Sequence, residues 1–252
     1  MNLRSGQTLT VAAGGVTGDN LTAVNATVNI QAGLVGDDAE TAGSVVNISG
    51  GTIEDSFNAF NSEVNVTGGE VGSFFLAGSR SVVNISGGEV GSSSDATGNS
   101  VVNITGGEIG SSFEAFDSVV NISGGEVGSS FDAESGSVVN ISGGVFGDAF
   151  AAFDGSEVNL LGSEFFLAGE LIDASTLDGA FTISDRAVTL SGILNDGSRF
   201  SFDLNPIESS GNDFFASGAT LTVTVVSVPE PSSALALLGL GGLTMLRRRR
   251  TA

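Results

Sequence analysis

Asparagine recurs at Asn29, Asn47, Asn65, Asn84, Asn103, Asn121, Asn140 and Asn159, always 18 or 19 residues apart, and Thr10 extends the series backwards by 19. A period in this range is the mark of stacked supersecondary units that bury a hydrophobic face only against their neighbours. Counted from each of these nine residues, position −1 is Leu9 and then valine from Val28 to Val158, and position +1 is Val, Ile or Leu from Val11 to Leu160. Equal parity puts −1 and +1 on one face of a short strand and Asn on the other. Position +6 is apolar throughout, from Val16 to Phe165, and position +4 is Gly in eight turns from Gly14 to Gly144, where the chain must bend sharply. In the six turns starting at Asn47, position +12 is always Ala and +10 is usually Phe, which gives a third apolar stretch. Length variation falls after +12, as in an outer loop that tolerates an extra residue.

Three short strands per turn predict an all-β parallel β-helix of about nine turns over residues 1–163, a rod of about 40 Å at the strand spacing. The handedness of parallel crossovers favours a right-handed coil. After Asn159 the pattern degrades. Residues 164–228 read as a β cap, with strands at Ala187 to Ile193, Arg199 to Leu204 and Thr220 to Val228 and a hairpin turn at Asn195-Asp196-Gly197. A cap is expected because an uncovered last turn exposes strand edges.

Composition narrows the function. There are 38 Gly and no Cys, His, Trp, Tyr or Lys among 252 residues, so thiolate, imidazole and Schiff-base chemistry are excluded. The formal net charge is −21, and half of the eight Arg lie in Arg247 to Arg250, which excludes nucleic acid as a partner. The body keeps only Arg4, Arg80, Arg186 and Arg199 and has no aromatic residue but Phe, so the expectation is that the protein is not an enzyme.

Two ladders invite a site reading. Glu70, Glu89, Glu108 and Glu126 hold position +5 in consecutive turns, and their stacked carboxylates repel one another unless cations intervene. A solvated acidic face is the favoured reading and a calcium stripe the alternative; no other metal or cofactor is expected. The Asn-Ile-Ser, Asn-Ile-Thr and Asn-Val-Thr triplets from Asn47 to Asn140 match a glycosylation acceptor pattern, but an Asn ladder bonded between turns explains them without a sugar.

The last residues differ from the rest. Pro229, Glu230 and Pro231 end the preceding strand, Ala234 to Leu246 is uncharged, and Arg247, Arg248, Arg249 and Arg250 follow. Residues 232–246 read as a short transmembrane helix of about 22 Å, less than a 30 Å hydrocarbon core, with the arginines held in the cytoplasm and the body on the far side. The order Pro-Glu-Pro, apolar helix, basic end resembles the PEP-CTERM sorting signal of Gram-negative bacteria. That resemblance implies recognition of Pro229, Glu230 and Pro231 by an exosortase-type membrane peptidase, transient residence in the inner membrane, removal of the tail, and delivery to the cell surface or extracellular matrix. Residues 1–15 have no apolar run, so an upstream start encoding an export signal is expected. The repeat itself resembles pectin-lyase-like β-helices and autotransporter passenger repeats over residues 7–163, which implies the fold. The expected function is a non-catalytic surface or matrix protein, with a cation- or polysaccharide-binding adhesin as the second reading.

Overall fold

The computed structural model describes residues 1–172 and 179–226, and every regular element among them is a strand. Each Val-Asn-Ile triplet forms the middle of a strand whose Val and Ile are buried and whose Asn faces outward, as in Val82–Val90, where Val83 and Ile85 are 0 and 1% exposed. Alternation of side chains across the pleat leaves no other arrangement once one face is the core. Successive triplets pair in parallel and in register: Val83, Asn84 and Ile85 lie against Val64, Asn65 and Val66 on one side and Val102, Asn103 and Ile104 on the other. A second parallel ladder, from Asn2–Leu3 to Ala151–Ala152, carries the Ala column, with Ala59, Ala77, Ala96, Ala115, Ala133 and Ala152 at most 1% exposed. Phe57 stacks on Phe75, and Phe113, Phe131 and Phe150 stack in series at 5.4 and 5.1 Å between ring centroids. Ser94 interrupts that column and satisfies its buried hydroxyl on the Gly91 carbonyl.

Nine rungs enclose eight uninterrupted turns of this parallel β-solenoid, so the expected nine turns count rungs rather than the intervals between them. Eight intervals span about 38 Å. The expected three strands per turn are also revised. From Val45–Ile53 to Val138–Phe146 the first two fuse into one strand of nine residues, for example Val101–Ile109, that bends through a register shift at its Gly-Gly pair. The bend is left-handed: all eight position +4 glycines have positive φ, between 75° at Gly14 and 121° at Gly33. From Gly51 onward they are also packed on one another: a methyl group on Gly88 would lie 2.6 Å from the Gly69 carbonyl oxygen and 2.8 Å from the carbonyl carbon of Gly68. In the 19-residue turns from Asn65 onward the extra residue sits at the corner after the Ala column, whereas in the first turn it lies before Val16, which pairs one position late. Asn61 alone is left-handed there in an 18-residue turn, and Ser79 and Arg80 both are in the next.

At the first rung Val16 was expected in the core and is 69% exposed. It bridges Leu34 rather than Val35, a slip of one residue that turns its side chain to the outer face.

The ladder changes character at Glu157–Leu167. Ser163 stands where the other turns have glycine, no residue of this strand is left-handed, and the strand runs on for eleven residues. Its second half pairs antiparallel with Thr189–Leu194, which forms a hairpin with Arg199–Asp203 through a turn at Asn195–Gly197. Phe202 of the hairpin lies 4.9 Å from Phe150 and extends the Phe column over the end of the rod. The chain then returns. Phe214–Phe215 pairs in parallel with Ala151–Ala152, and Thr220–Val225 with the Glu157 strand, placing Thr222 on Asn159 and Leu221 and Val223 on the inward Val and Leu columns. Residues 164–172 and 179–225 therefore both cover the rod and add its tenth rung, which Ala180–Thr182 borders as an antiparallel edge. Arg186 ties this rung down. Its guanidinium donates to the carbonyls of Phe215, Ala216, Ala219, Ile183 and Asp185, and burial lowers its pKa from the usual value.

Candidate functional site

The asparagines form one continuous chain of amide bonds. Each Nδ2, from Asn47 to Asn159, donates to the Oδ1 one turn earlier at 2.8–3.1 Å, so the column begins at Asn29 and all seven bonds point the same way. This is the ladder that the spacing implied. A second polar ladder was missed: Ser44, Ser62, Ser81, Ser100, Ser118, Ser137 and Ser156 are buried at the inner corner, three residues before each Asn. Ser62 and Ser81 accept the backbone N–H of Ser44 and Ser62, and Ser81, Ser137 and Ser156 donate to carbonyls three residues earlier. The signal was available, since serine holds position −3 in seven consecutive turns.

The Glu70, Glu89, Glu108 and Glu126 stripe stacks in register and is exposed. In-register carboxylates follow the strand spacing, so the backbones of alternate members stand about 9.6 Å apart. Among the described residues, the group of three carboxylates whose oxygens all lie within 4.8 Å of one another is Asp19, Asp37 and Glu54, near the other end of the rod.

A second acidic column, also missed, lies on the other sheet. Asp95, Glu114 and Asp132 pair in register at position +11. Burial together with the neighbouring Glu114, Glu134 and Glu208 carboxylates pushes Asp132 up to about 6, and burial with Glu114 raises Asp95. Asp132 and Glu208 line a pocket of about 160 Å³ beneath residues 208–212. Burial also raises Asp213, although its carboxylate accepts the N–H groups of Phe150 and Asp203. Asp196 goes the other way: burial would raise it, but the Ser198 hydroxyl and the N–H groups of Ser198 and Gly144 together hold it below the usual range.

A third surface carries almost no charge. On the outer face of the triplet strands, ten rungs present positions −2, 0 and +2, and of these thirty residues only Glu63 and Glu157 are acidic or basic. Both accept a hydrogen bond from the Asn of their own strand, Asn65 or Asn159. A groove of about 330 Å³ runs along this face, lined among others by Asn121, Ser123, Asn140, Ser142, Leu161 and Thr224.

The end of the described chain sits on the last rung, where the Val226 N–H donates to the Gly162 carbonyl at 2.7 Å. Pro229, Glu230, Pro231, Arg247 to Arg250 and the expected helix 232–246 lie outside the described residues, and among the described residues no helix is long and apolar enough to cross a membrane. Residues 227–250 match the family model of the PEP-CTERM protein-sorting motif. Neither the curated proteins nor the solved structures contain a match to the chain. The motif is the one that exosortase, a membrane enzyme, recognises, and it marks a protein that is exported and processed at the membrane, with a surface or extracellular fate.

Proposed function

We propose, for a chain whose residues 227–250 carry the PEP-CTERM protein-sorting motif, that the β-solenoid is a non-catalytic structural component of the cell surface or extracellular matrix of a Gram-negative bacterium. The observation that carries this reading is the position of the motif: it follows directly on the tenth rung, Thr220–Val225, whose neighbour Val226 is bonded to the rod through Gly162. A peptidase that cuts near Pro229-Glu230-Pro231 would release the rod with its tenth rung intact. The uncharged residues 232–246 then hold the chain at the membrane for the enzyme, with Arg247 to Arg250 on the cytoplasmic side. The body supports a structural role because its columns repeat the same residues from rung to rung, so that adjacent rungs offer the same surface.

Mass spectrometry of the surface fraction tests the proposal. The released protein is expected to lack Arg247 to Arg250, and Pro229→Ala with Pro231→Ala is expected to leave an intact chain in the membrane. Surface protein that still ends in the four arginines would refute the transient role of the tail. The second reading, a binding role on the surface, is favoured by the uncharged outer face.

A further inference from the structure

The outer face of the triplet strands is the place where this acidic rod can meet a partner without opposing its charge. Between the rungs of Glu63 and Glu157, four rungs from Asn84 to Asn140 carry no ionisable group at −2, 0 or +2. Their three columns differ in chemistry. Position −2 is valine from Val82 to Val138, half-buried or exposed, with Val82 at 39%. Position 0 is the amide ladder, and position +2 is a hydroxyl from Ser86 to Ser142.

Hydrogen-bonding capacity is left over on these rungs. A side-chain amide has two N–H donors and two acceptor lone pairs, and the ladder consumes one of each. At Asn65 and Asn159 the glutamates take the second N–H, whereas on the rungs from Asn84 to Asn140 that N–H has no partner among the described residues. Thr105 and Ser142 turn a hydroxyl toward a carbonyl of the preceding turn at 3.3–3.4 Å, while Ser86 and Ser123 have no such bond. Every rung thus offers the same set, methyl groups beside an amide donor and a hydroxyl, repeated at about 4.8 Å along the rod.

We propose that this face holds an uncharged, hydroxyl-rich polysaccharide laid along the rod axis. The inference deepens the reading of the protein as a surface or matrix component, since the rod must lie outside the cell to meet such a polymer. A sugar residue in an extended chain has a length comparable to the rung spacing, so successive residues can set a C–H face on the valines and hydroxyls on the amide and Ser/Thr columns. Acidic polymers are repelled by the Glu stripe and by the net charge of −21. A second copy is a poorer occupant: the four uncharged rungs cover about 250 Å² (four rungs at ~4.8 Å by four residues of strand), against roughly 800 Å² per partner in a stable complex. A longer overlap brings the glutamates at either end into the contact.

The test is affinity electrophoresis of the full chain in mild detergent through gels containing hydroxyethylcellulose, dextran, galactomannan or polygalacturonate. Retardation is expected in at least one of the three neutral polymers and not in polygalacturonate. Thr105→Glu with Ser123→Glu should weaken that retardation at least tenfold and Thr105→Lys should also weaken it, whereas Glu89→Gln with Glu108→Gln, on the neighbouring face, should leave it unchanged. Circular dichroism melts establish that each variant is folded. Unaltered mobility in all three neutral polymers, full retardation of the Thr105→Glu, Ser123→Glu protein, or stronger retardation in polygalacturonate would each overturn the proposal. So would light scattering that shows a dimer dissolved by the same two substitutions. Any of these results, alongside mass spectrometry that finds the surface protein without Arg247 to Arg250, removes this inference and leaves the sorting proposal standing.

Discussion

Replacing Gly88 with Ala separates two costs that glycine avoids in this fold. The first is conformational: Gly88 has φ +79°, and an L residue in the left-handed region costs about 1–2 kcal/mol. The second is steric and specific to stacking. The new methyl would lie 2.6 Å from the Gly69 carbonyl oxygen and 3.0 Å from Gly68 Cα, atoms of a backbone that is itself held in the ladder. No flexible side chain can yield there, so the rungs must part locally, an overpacking cost of about 1–3 kcal/mol. The expected total is about 2–5 kcal/mol. Gly6→Ala is the internal control, since Gly6 has φ +76° but nothing within 4 Å of the added methyl, and its cost should be the conformational one alone. Urea denaturation followed by circular dichroism measures both. Because a solenoid is held by nearest-neighbour contacts, the slope of each transition must be compared with wild type before midpoints are converted to free energies. If Gly88→Ala and Gly6→Ala destabilise equally, close stacking is not why glycine fills this column, and the account of the corner fails.

Arg186→Ala removes donors from the carbonyls of Phe215, Ala216 and Ala219, so hydrogen exchange should accelerate in Phe214–Val225 while protection of the rungs from Asn65 to Asn121 is retained; uniform loss of protection would contradict a local clamp. For Asp132 the folded pKa of about 6 stands above the usual 3.8, so the stability it contributes is complete below about pH 4 and is lost as pH rises through 6. Asp95, Glu134 and Asp213 shift in the same direction. A shift of this size in a half-exposed carboxyl, discounted for solvent screening, is worth about 1 kcal/mol. The melting temperature should therefore rise between pH 7 and pH 5, and Asp132→Asn should flatten the rise; a melting temperature that falls over that interval would reverse the sign of the argument.

Much of the candidate surface could be read before any coordinates, and the reason is geometric. In a parallel solenoid each position lies on its own counterpart one turn below, so a column in the aligned repeats is a column in space. Asn29 to Asn159, the Gly corner and the Ala and Phe columns were legible for this reason, and the sorting motif is a contiguous string that needs no fold to be recognised. The same alignment held the buried Ser44 to Ser156 ladder and the Asp95, Glu114 and Asp132 column. They were missed because a polar residue in a repeat looks like surface until burial is known.

Other features belong to the tertiary structure alone. The slip that turns Val16 outward is a single change of register with no mark in its residue type. The tenth rung is the larger case. Ala151 and Phe214 are paired neighbours 63 residues apart, where other turns need 18 or 19, and an excursion of that length erases periodicity. Only the absence of glycine at Ser163 hints at it, because without a left-handed corner the chain runs straight on and must pair elsewhere before it returns. The sequence alone thus determined the repeating cross-section and the address at the end of the chain, since both are local or periodic. How the rod ends and which carboxylates share a pocket were decided by pairing between distant segments.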